Sequence, residues 1–233
     1  MIREQLAAIV EQHHLLKHPF YIAWTEGKLT QTHLKHYAVQ YFQNVLAFPT
    51  YVSGVHFNTP AIGTSIALRQ EILENLIEEE HGSNNHPALW QQFAAAVGAT
   101  EAELTETPAL ETTQNLIDTF RRLCITSPFY AGLAALYAYE SQIPAIATTK
   151  IEGLQRFYGL TNPQDYRFFS VHEKADVYHT ETELQLIERY ADTPEKQAEV
   201  LEVAQQAAIA LWQFLDGVYA AYCADLQPEL AIA

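Results

Sequence analysis

Cysteine is almost missing from this chain, and basic side chains are few. Cys124 and Cys223 are the only cysteines among 233 residues and have no CxxC spacing, which excludes a disulfide framework and a thiolate-bound structural zinc. Lys and Arg number 13 against 28 Asp and Glu, so the formal net charge is −15. Because an acidic surface repels phosphate groups, we expect no nucleic-acid partner and no binding to anionic membranes.

Long apolar runs are also missing. None reaches the ~18–20 uninterrupted residues that a membrane-spanning helix needs. The stretch MIREQLAAIVEQHHLLKHPF mixes charge into its apolar positions, unlike a signal peptide. No repeat, low-complexity tract or Pro/Gly/Ser-rich linker divides the chain. We therefore predict a cytoplasmic protein with one domain over residues 1–233.

Strand-like alternation is rare, whereas Ala, Leu, Glu and Gln, which favour helices, are abundant. The periodicity predicts an all-α bundle of seven to nine helices. Thr30 and Thr193 are the predicted N-caps of two long helices. The predicted helices cover approximately residues 2–16, 18–24, 31–58, 61–81, 87–97, 108–126, 128–149, 163–190 and 194–226.

Three glutamates end the predicted helix over residues 61–81. Its predicted buried face is formed by Ile72, Leu73, Leu76 and Ile77. Three and four residues after Leu76 come Glu79 and Glu80, so both carboxylates lie at the edges of that face and the periodicity does not separate them. His86 follows Glu79 by seven residues. These groups are either metal ligands or an acidic helix end exposed to solvent.

A single carboxylate, Glu140, lies inside an almost wholly apolar helix. Its neighbours one turn away include Leu136, Tyr137 and Ile143. A carboxylate desolvated in such a place is costly unless it is paired, protonated or bound to a metal. The alternative to a metal ligand is a glutamate that hydrogen-bonds to a buried tyrosine.

Two imidazoles and a carboxylate share one face of a later helix. In VHEKADVYHTE, residues 171–181, the side chains of His172, Asp176 and His179 are spaced by four and then three residues. Those offsets stack them on one side of an α-helix. Taken alone, the pattern is equally compatible with a polar surface.

Taken together, the three stretches offer carboxylates and imidazoles from several helices. Helical bundles build dinuclear sites by projecting such residues inward, and this donor set suits iron or manganese. The ExxH signature of ferritin-like sites does not occur around Glu140, which indicates another type of bundle. We predict a dinuclear metal site with positions open to dioxygen. Its candidate ligands are Glu79 or the adjacent Glu80, His86, Glu140, His172, Asp176 and His179.

The segments EEHGSNNH, ALYAYESQIPAIATTK and NPQDYRFFSVHEKADVYH resemble the haem-oxygenase-like diiron oxidases, and within them the CADD-like para-aminobenzoate synthases. TenA and PqqC proteins belong to the same wider group. The similarity extends from HPFYIAWTEGKLT to about Ala221. It implies a haem-oxygenase-like bundle, a homodimer, and a diiron or manganese–iron centre. It also implies Glu79, rather than Glu80, as the first of the six ligands.

The resemblance further implies an oxygen-dependent synthesis of para-aminobenzoate for folate, in which the protein consumes one of its own tyrosines. Tyr21 in HPFYIAW matches that tyrosine, and Lys150 matches the lysine that supplies nitrogen. Tyr37 and Tyr139 match other tyrosines of the family's site. Dioxygen and an electron donor are the implied co-substrates. Phe168 stands where a tyrosine is expected, so electrons that would pass through that tyrosine need another route here.

Three other functions stay open. A diiron oxidase of this family would instead act on an external fatty acid or amino acid. A metal-free TenA-type hydrolase would use Cys124 as its nucleophile, but this function, like metal-free PqqC-type synthesis, leaves the six candidate ligands unexplained. A non-enzymatic protein would bind a partner; the sequence marks no interaction face, and the apolar last helix fits a dimer contact or a bundle core equally well.

Overall fold

The computed structural model describes residues 1–63 and 66–226, except for the side chains of residues 174–177. These residues form eleven α-helices and three short 3-10 segments, and none of them forms a strand. The all-α prediction is therefore confirmed. The helices are α1 Ile2–Gln12, α2 Pro19–Thr25, α3 Gln31–Asn58, α4 Ile66–Glu80, α5 His86–Ala96, α6 Glu101–Glu106, α7 Glu111–Thr126, α8 Phe129–Glu140, α9 Ile143–Phe157, α10 Arg167–Tyr190 and α11 Pro194–Tyr222.

The predicted count of seven to nine helices was wrong for two local reasons. The short helix α6 was missed, although the Thr100 hydroxyl caps it by accepting a hydrogen bond from the Glu103 backbone N–H (3.2 Å). The predicted helix over 128–149 is interrupted after Glu140 and resumes as α9. Pro144 has no N–H to donate to the Glu140 carbonyl, so the helix cannot run through this turn unchanged.

Both predicted N-caps of the long helices are confirmed. The Thr30 hydroxyl accepts a hydrogen bond from the His33 backbone N–H, and the Thr193 hydroxyl accepts one from the Lys196 N–H, each at 3.3 Å. These caps satisfy backbone donors that the first turn of a helix leaves without partners. They therefore define where α3 and α11 begin.

Helix α8 is buried along its length and lies between α10 and α11. Because it is apolar on all sides, it packs against both neighbours, and Glu140 at its end is held inside the protein. Helices α4, α5 and α10 contact one another beside it, which brings their polar residues towards Glu140. Among the described helices, none has the length and apolar character needed to cross a membrane. The single-domain organisation stays a prediction.

The buried face of α4 differs from the predicted one. Leu73 and Ile77 are 40% and 48% exposed, whereas Asn75 and Glu79 are buried. The inward face follows the spacing of Leu68, Ile72, Asn75 and Glu79, which is regular for a helix. Ile72 is buried and Leu76 is partly buried, as predicted, but hydrophobic periodicity missed the polar inward positions near the end of α4.

Gln142 ties the α8–α9 break to the N-terminal segment and gives a first prediction. Its side chain is fully buried, accepts a hydrogen bond from the Leu15 N–H (2.9 Å) and donates one to the Ala138 carbonyl (2.8 Å). Gln142→Leu would leave both backbone groups unsatisfied, so we expect a loss of about 1–3 kcal/mol in the free energy of unfolding, measured by urea denaturation. The exposed Gln5 provides the control: Gln5→Leu should change it by less than ~0.5 kcal/mol.

Candidate metal centre and tyrosine cluster

Three predicted ligands from three helices converge. Glu79 of α4, His86 of α5 and His172 of α10 each present a ligand atom, and these atoms lie within 4.8 Å of one another. His86 Nδ1 is 2.7 Å from Glu79 Oε2. All three residues are buried, whereas Glu80 is exposed. A buried set of one carboxylate and two imidazoles is a donor set that fits iron or manganese.

The turn between α4 and α5 positions the first two of these side chains. Gly82 has a φ of +82°, in the left-handed region that favours glycine, and it helps to reverse the chain after α4. The Asn85 side chain then accepts a hydrogen bond from the Ala88 N–H (2.9 Å) and caps α5. His86 is thereby held at the start of α5, opposite Glu79 near the end of α4.

The ring of His172 has a defined orientation. Its Nδ1 lies 2.6 Å from the Phe168 carbonyl oxygen, one turn earlier in α10. Since a carbonyl only accepts, Nδ1 carries the proton and the lone pair is on Nε2, the arrangement typical of a metal-binding histidine. Burial, with His86 nearby, holds the pKa of His172 well below its usual range, so the ring is neutral.

Two further predicted ligands form a second group. His179 Nδ1 lies 3.7 Å from Glu140 Oε2, and both side chains are buried. Glu140 Oε1 also accepts a hydrogen bond from Asn75 Nδ2 (3.2 Å). Asn75 is one helical turn before Glu79, so it connects this second group with the first. Asp176, the sixth predicted ligand, lies outside the side chains that the structure describes.

The four predicted catalytic residues also lie together. With Tyr41 they form a group that we call the tyrosine cluster: Tyr21, Tyr37, Tyr41, Tyr139 and Lys150. Lys150 is buried, and its Nζ donates a hydrogen bond to the Tyr37 hydroxyl (2.7 Å), which lies 3.4 Å from the Tyr21 hydroxyl. The Tyr139 hydroxyl is 2.5 Å from that of Tyr41. These five residues line one cavity of about 20 Å³, which has room for roughly one water molecule.

Burial changes the protonation of the lysine and of the tyrosines in opposite directions. It lowers the pKa of Lys150 to about 7, because the ammonium form loses its hydration. It raises the pKa of Tyr21 and Tyr37 above the usual range, since a phenolate would be desolvated as well. At neutral pH the cluster therefore contains neutral phenols and a lysine that is partly a free amine.

Two residues of the site were missed in the sequence. Asn75 precedes Glu79 by four residues, and Tyr41 follows Tyr37 by four, so each shares a helix face with a predicted residue. That spacing was the available signal. Among thirteen tyrosines and many polar helix positions, however, the spacing alone is weakly selective.

Comparison with known proteins points to one family. Residues 35–212 match the sequence model of a family described as an iron-containing redox enzyme. The 4-aminobenzoate synthase of Nitrosomonas europaea is 58% identical over 229 residues, which cover 96% of this chain and 93% of that protein. The 4-aminobenzoate synthase of Chlamydia muridarum is 41% identical over 214 residues, covering 91% and 88%.

The fold has a solved counterpart as well. The crystal structure of a TenA homologue from Pseudomonas syringae superposes with a TM-score of 0.82 at 16% identity, over 94% of this chain and 93% of that one. This likeness confirms the TenA-like helical fold that the sequence predicted. Because the family match covers well over half of the chain, the protein belongs to the family of iron-containing redox enzymes, as its resemblance to the haem-oxygenase-like oxidases predicted.

Proposed function

We propose that this chain makes 4-aminobenzoate in an oxygen-dependent reaction, with its own Tyr21 as the source of the ring and Lys150 as the source of nitrogen. The observation that carries the proposal is the small cavity in which Lys150, Tyr37 and Tyr21 meet. Its ~20 Å³ leave room for about a water molecule beside these residues, far less than a fatty acid or amino-acid substrate occupies. The names of the two curated relatives support the product.

The atoms of tyrosine fit the product. A tyrosine side chain already holds a ring with one carbon and one heteroatom in para positions, as 4-aminobenzoate does. The Cα–Cβ bond of Tyr21 would break, leaving glycine in the chain, and dioxygen would oxidise Cβ to a carboxylate. The Nζ–Cε bond of Lys150 would break as its nitrogen replaces the phenolic oxygen, which would leave as water, and Cε would be left as an aldehyde. Proximity replaces substrate binding, because the fold holds both groups in one cavity.

A dinuclear iron or manganese–iron centre is the proposed cofactor. The residues that would hold it are Glu79, His86, Glu140, His172, Asp176 and His179. When bound, such a centre supplies the oxidising equivalents of dioxygen, which no unaided side chain provides. The proposed partners are thus dioxygen and an electron donor. The burial of Glu79, Glu140, His86 and His179, together with the neutral ring of His172, supports this assignment.

The direct test uses the purified protein without any added organic substrate. Iron-loaded protein, with or without added manganese, is mixed with a reductant and air, and 4-aminobenzoate is measured by mass spectrometry. We expect release under these conditions and none under anaerobic ones. Release that depends on an added fatty acid or amino acid would contradict a self-derived substrate.

The pKa of Lys150 gives a prediction for the dependence on pH. The free amine is the form that attacks or is transferred, and its fraction rises with pH through about 7. At constant bound iron, the initial rate should therefore rise about tenfold per pH unit below pH 7 and become constant above pH 8. Lys150→Arg is the matched control, because arginine stays protonated throughout and should be inactive at every pH. A rate that does not change between pH 6 and pH 8 would count against this role.

Cys124 distinguishes the proposal from a metal-free hydrolase. Its side chain is fully buried in α7, and burial raises the pKa of the thiol, so the thiolate is disfavoured. We expect Cys124→Ser to keep its bound iron and at least about half of the wild-type yield of 4-aminobenzoate. If Cys124→Ser lost activity while its bound iron and its fold were unchanged, the result would support the Cys124 thiol as a catalytic group.

A further inference from the structure

Trp90 lies between the candidate metal centre and the tyrosine cluster. It follows His86 by one turn on α5 and is fully buried. Its Nε1–H donates a hydrogen bond to the Ala38 carbonyl of α3 (2.9 Å), which fixes the indole plane between α3 and α10. A large, electron-rich ring is thus held in one orientation on the helix that also presents a candidate ligand.

On the metal side, Trp90 connects to two candidate ligands through one phenylalanine. Its ring centroid is 4.7 Å from that of Phe168. The Phe168 ring in turn lies 4.2 Å from the His172 ring and 5.8 Å from the His86 ring. Trp90 is therefore one ring away from both imidazoles.

On the other side, Trp90 contacts the tyrosine cluster directly. Its ring centroid is 4.8 Å from that of Tyr41 and 5.9 Å from that of Tyr37. Lys150 Nζ lies 5.6 Å from the indole centroid, a distance at which a charged lysine interacts with the ring face. The indole and the phenol rings of Tyr37 and Tyr41 therefore form one continuous aromatic contact.

We propose that Trp90 relays electrons from the tyrosine cluster to the metal centre, an inference that rests on the proposed function. Indole and phenol are side chains that give up one electron at accessible potentials, whereas the phenyl ring of Phe168 does not. Phe168 is thus a packed spacer, and Trp90 is the oxidisable residue nearest to it along this aromatic contact. Along these ring contacts, an electron that reaches His172 or His86 from Tyr37 passes through Trp90.

The relay consists of two one-electron transfers followed by one hydrogen-atom transfer. With the metals bound, the centre would supply the oxidising equivalents of dioxygen, and Trp90 would give up one electron while keeping its N–H proton, because the Ala38 carbonyl that it faces does not accept a proton. In the free-amine form of Lys150 the Tyr37 hydroxyl donates to Nζ across the same 2.7 Å contact, so the phenolic proton moves to Nζ as Trp90 takes one electron from Tyr37. A hydrogen atom from the Tyr21 hydroxyl, 3.4 Å away, restores Tyr37 and leaves the oxidised residue at Tyr21.

The test compares three single variants and one double variant as iron-loaded holoenzymes. Trp90→Phe removes the oxidisable ring, and Trp90→Tyr keeps an oxidisable ring at the same position. Trp24→Phe is the matched control, because Trp24 is equally buried and lies 6.2 Å from Tyr37, with Phe20, Tyr21 and Tyr158 as its other aromatic neighbours. Each reduced protein is mixed with dioxygen. The decay of the oxidised metal absorption is followed by stopped-flow, and organic radicals by freeze-quench electron paramagnetic resonance.

In Trp90→Phe we expect bound iron to be unchanged, the decay to slow at least about tenfold, and the tyrosine radical to fall in proportion. Trp24→Phe should decay at the wild-type rate, and Trp90→Tyr should recover most of the loss. A Phe168→Tyr change added to Trp90→Phe should also recover it, since it places an oxidisable ring beside His172. A packing defect would not be repaired in this way.

Wild-type decay and radical yield in Trp90→Phe would overturn the relay, as would equal slowing in Trp24→Phe. If Trp90→Phe fails to bind iron, the Trp90→Tyr protein decides: decay within about threefold of wild type supports the relay, and a tenfold loss with full iron overturns it. Release of 4-aminobenzoate is measured in the same samples. A wild type that forms the radical but no product contradicts the proposed function and leaves the relay intact.

Discussion

The His172→Ala variant is expected to lose most of its bound iron and its release of 4-aminobenzoate. His172 is one of the three residues whose ligand atoms converge, and the Phe168 carbonyl fixes its ring with the Nε2 lone pair free. Removing residues that merely orient a ligand costs about 10–100-fold in metal affinity, so removing the ligand itself should cost at least that much. Metal is measured by inductively coupled plasma mass spectrometry, and folding by circular dichroism.

The control for this variant comes from the turn before α5. His81→Ala removes an exposed imidazole close in sequence to Glu79 and His86, and should leave iron and activity unchanged. A folded His172→Ala protein that keeps wild-type iron would contradict the ligand assignment. Equal losses in both variants would indicate that histidines bind iron non-specifically.

The Tyr21→Phe variant is expected to lower the yield of 4-aminobenzoate at least ~100-fold at unchanged bound iron. The aromatic ring and its packing against Phe20 and Trp24 are kept, and a single long hydrogen bond to Tyr37 is lost. That loss should cost no more than about 1 kcal/mol in stability, so a fall in yield would report chemistry rather than unfolding. The yield is measured by mass spectrometry after one aerobic reaction.

The buried Tyr51 offers a matched control. It hydrogen-bonds to Asn44 and does not line the cavity that holds Lys150, so Tyr51→Phe should keep the wild-type yield. A Tyr21→Phe protein that still made 4-aminobenzoate would exclude Tyr21 as the source. In that case the other tyrosines of the cavity would be tested in the same way.

The helical class and most of the candidate site could be predicted from the chain because the ligands lie on regular helices. The seven-residue spacing of His172 and His179 places both on one face of α10, independently of how the neighbouring helices pack. Both side chains are buried in the structure. Glu140 stood out because a lone carboxylate in an apolar helix needs a partner. The structure provides His179 and Asn75 as partners of this carboxylate.

What escaped prediction depends on contacts between helices. The periodicity of α4 assigned Leu73 and Ile77 to the core, yet they are exposed because Asn75 and Glu79 occupy the inward face. Nothing in the sequence distinguishes Tyr41 and Trp90 from other aromatic residues of a helical core. Their importance comes from Tyr139 of α8 and from Phe168 of α10, which are distant in sequence. Choosing Glu79 over Glu80 likewise required the resemblance to a family, and the structure buries Glu79 while leaving Glu80 exposed.

The most direct test of the self-derived substrate is an isotope experiment on the wild-type protein. The chain is produced with ring-¹³C-labelled tyrosine, loaded with iron, and reacted with dioxygen and reductant in a solution that contains no labelled small molecule. The account predicts fully ring-labelled 4-aminobenzoate, no more than one molecule per chain, and a matching loss of mass in the peptide that contains Tyr21. Unlabelled product, or many product molecules per chain, would contradict it.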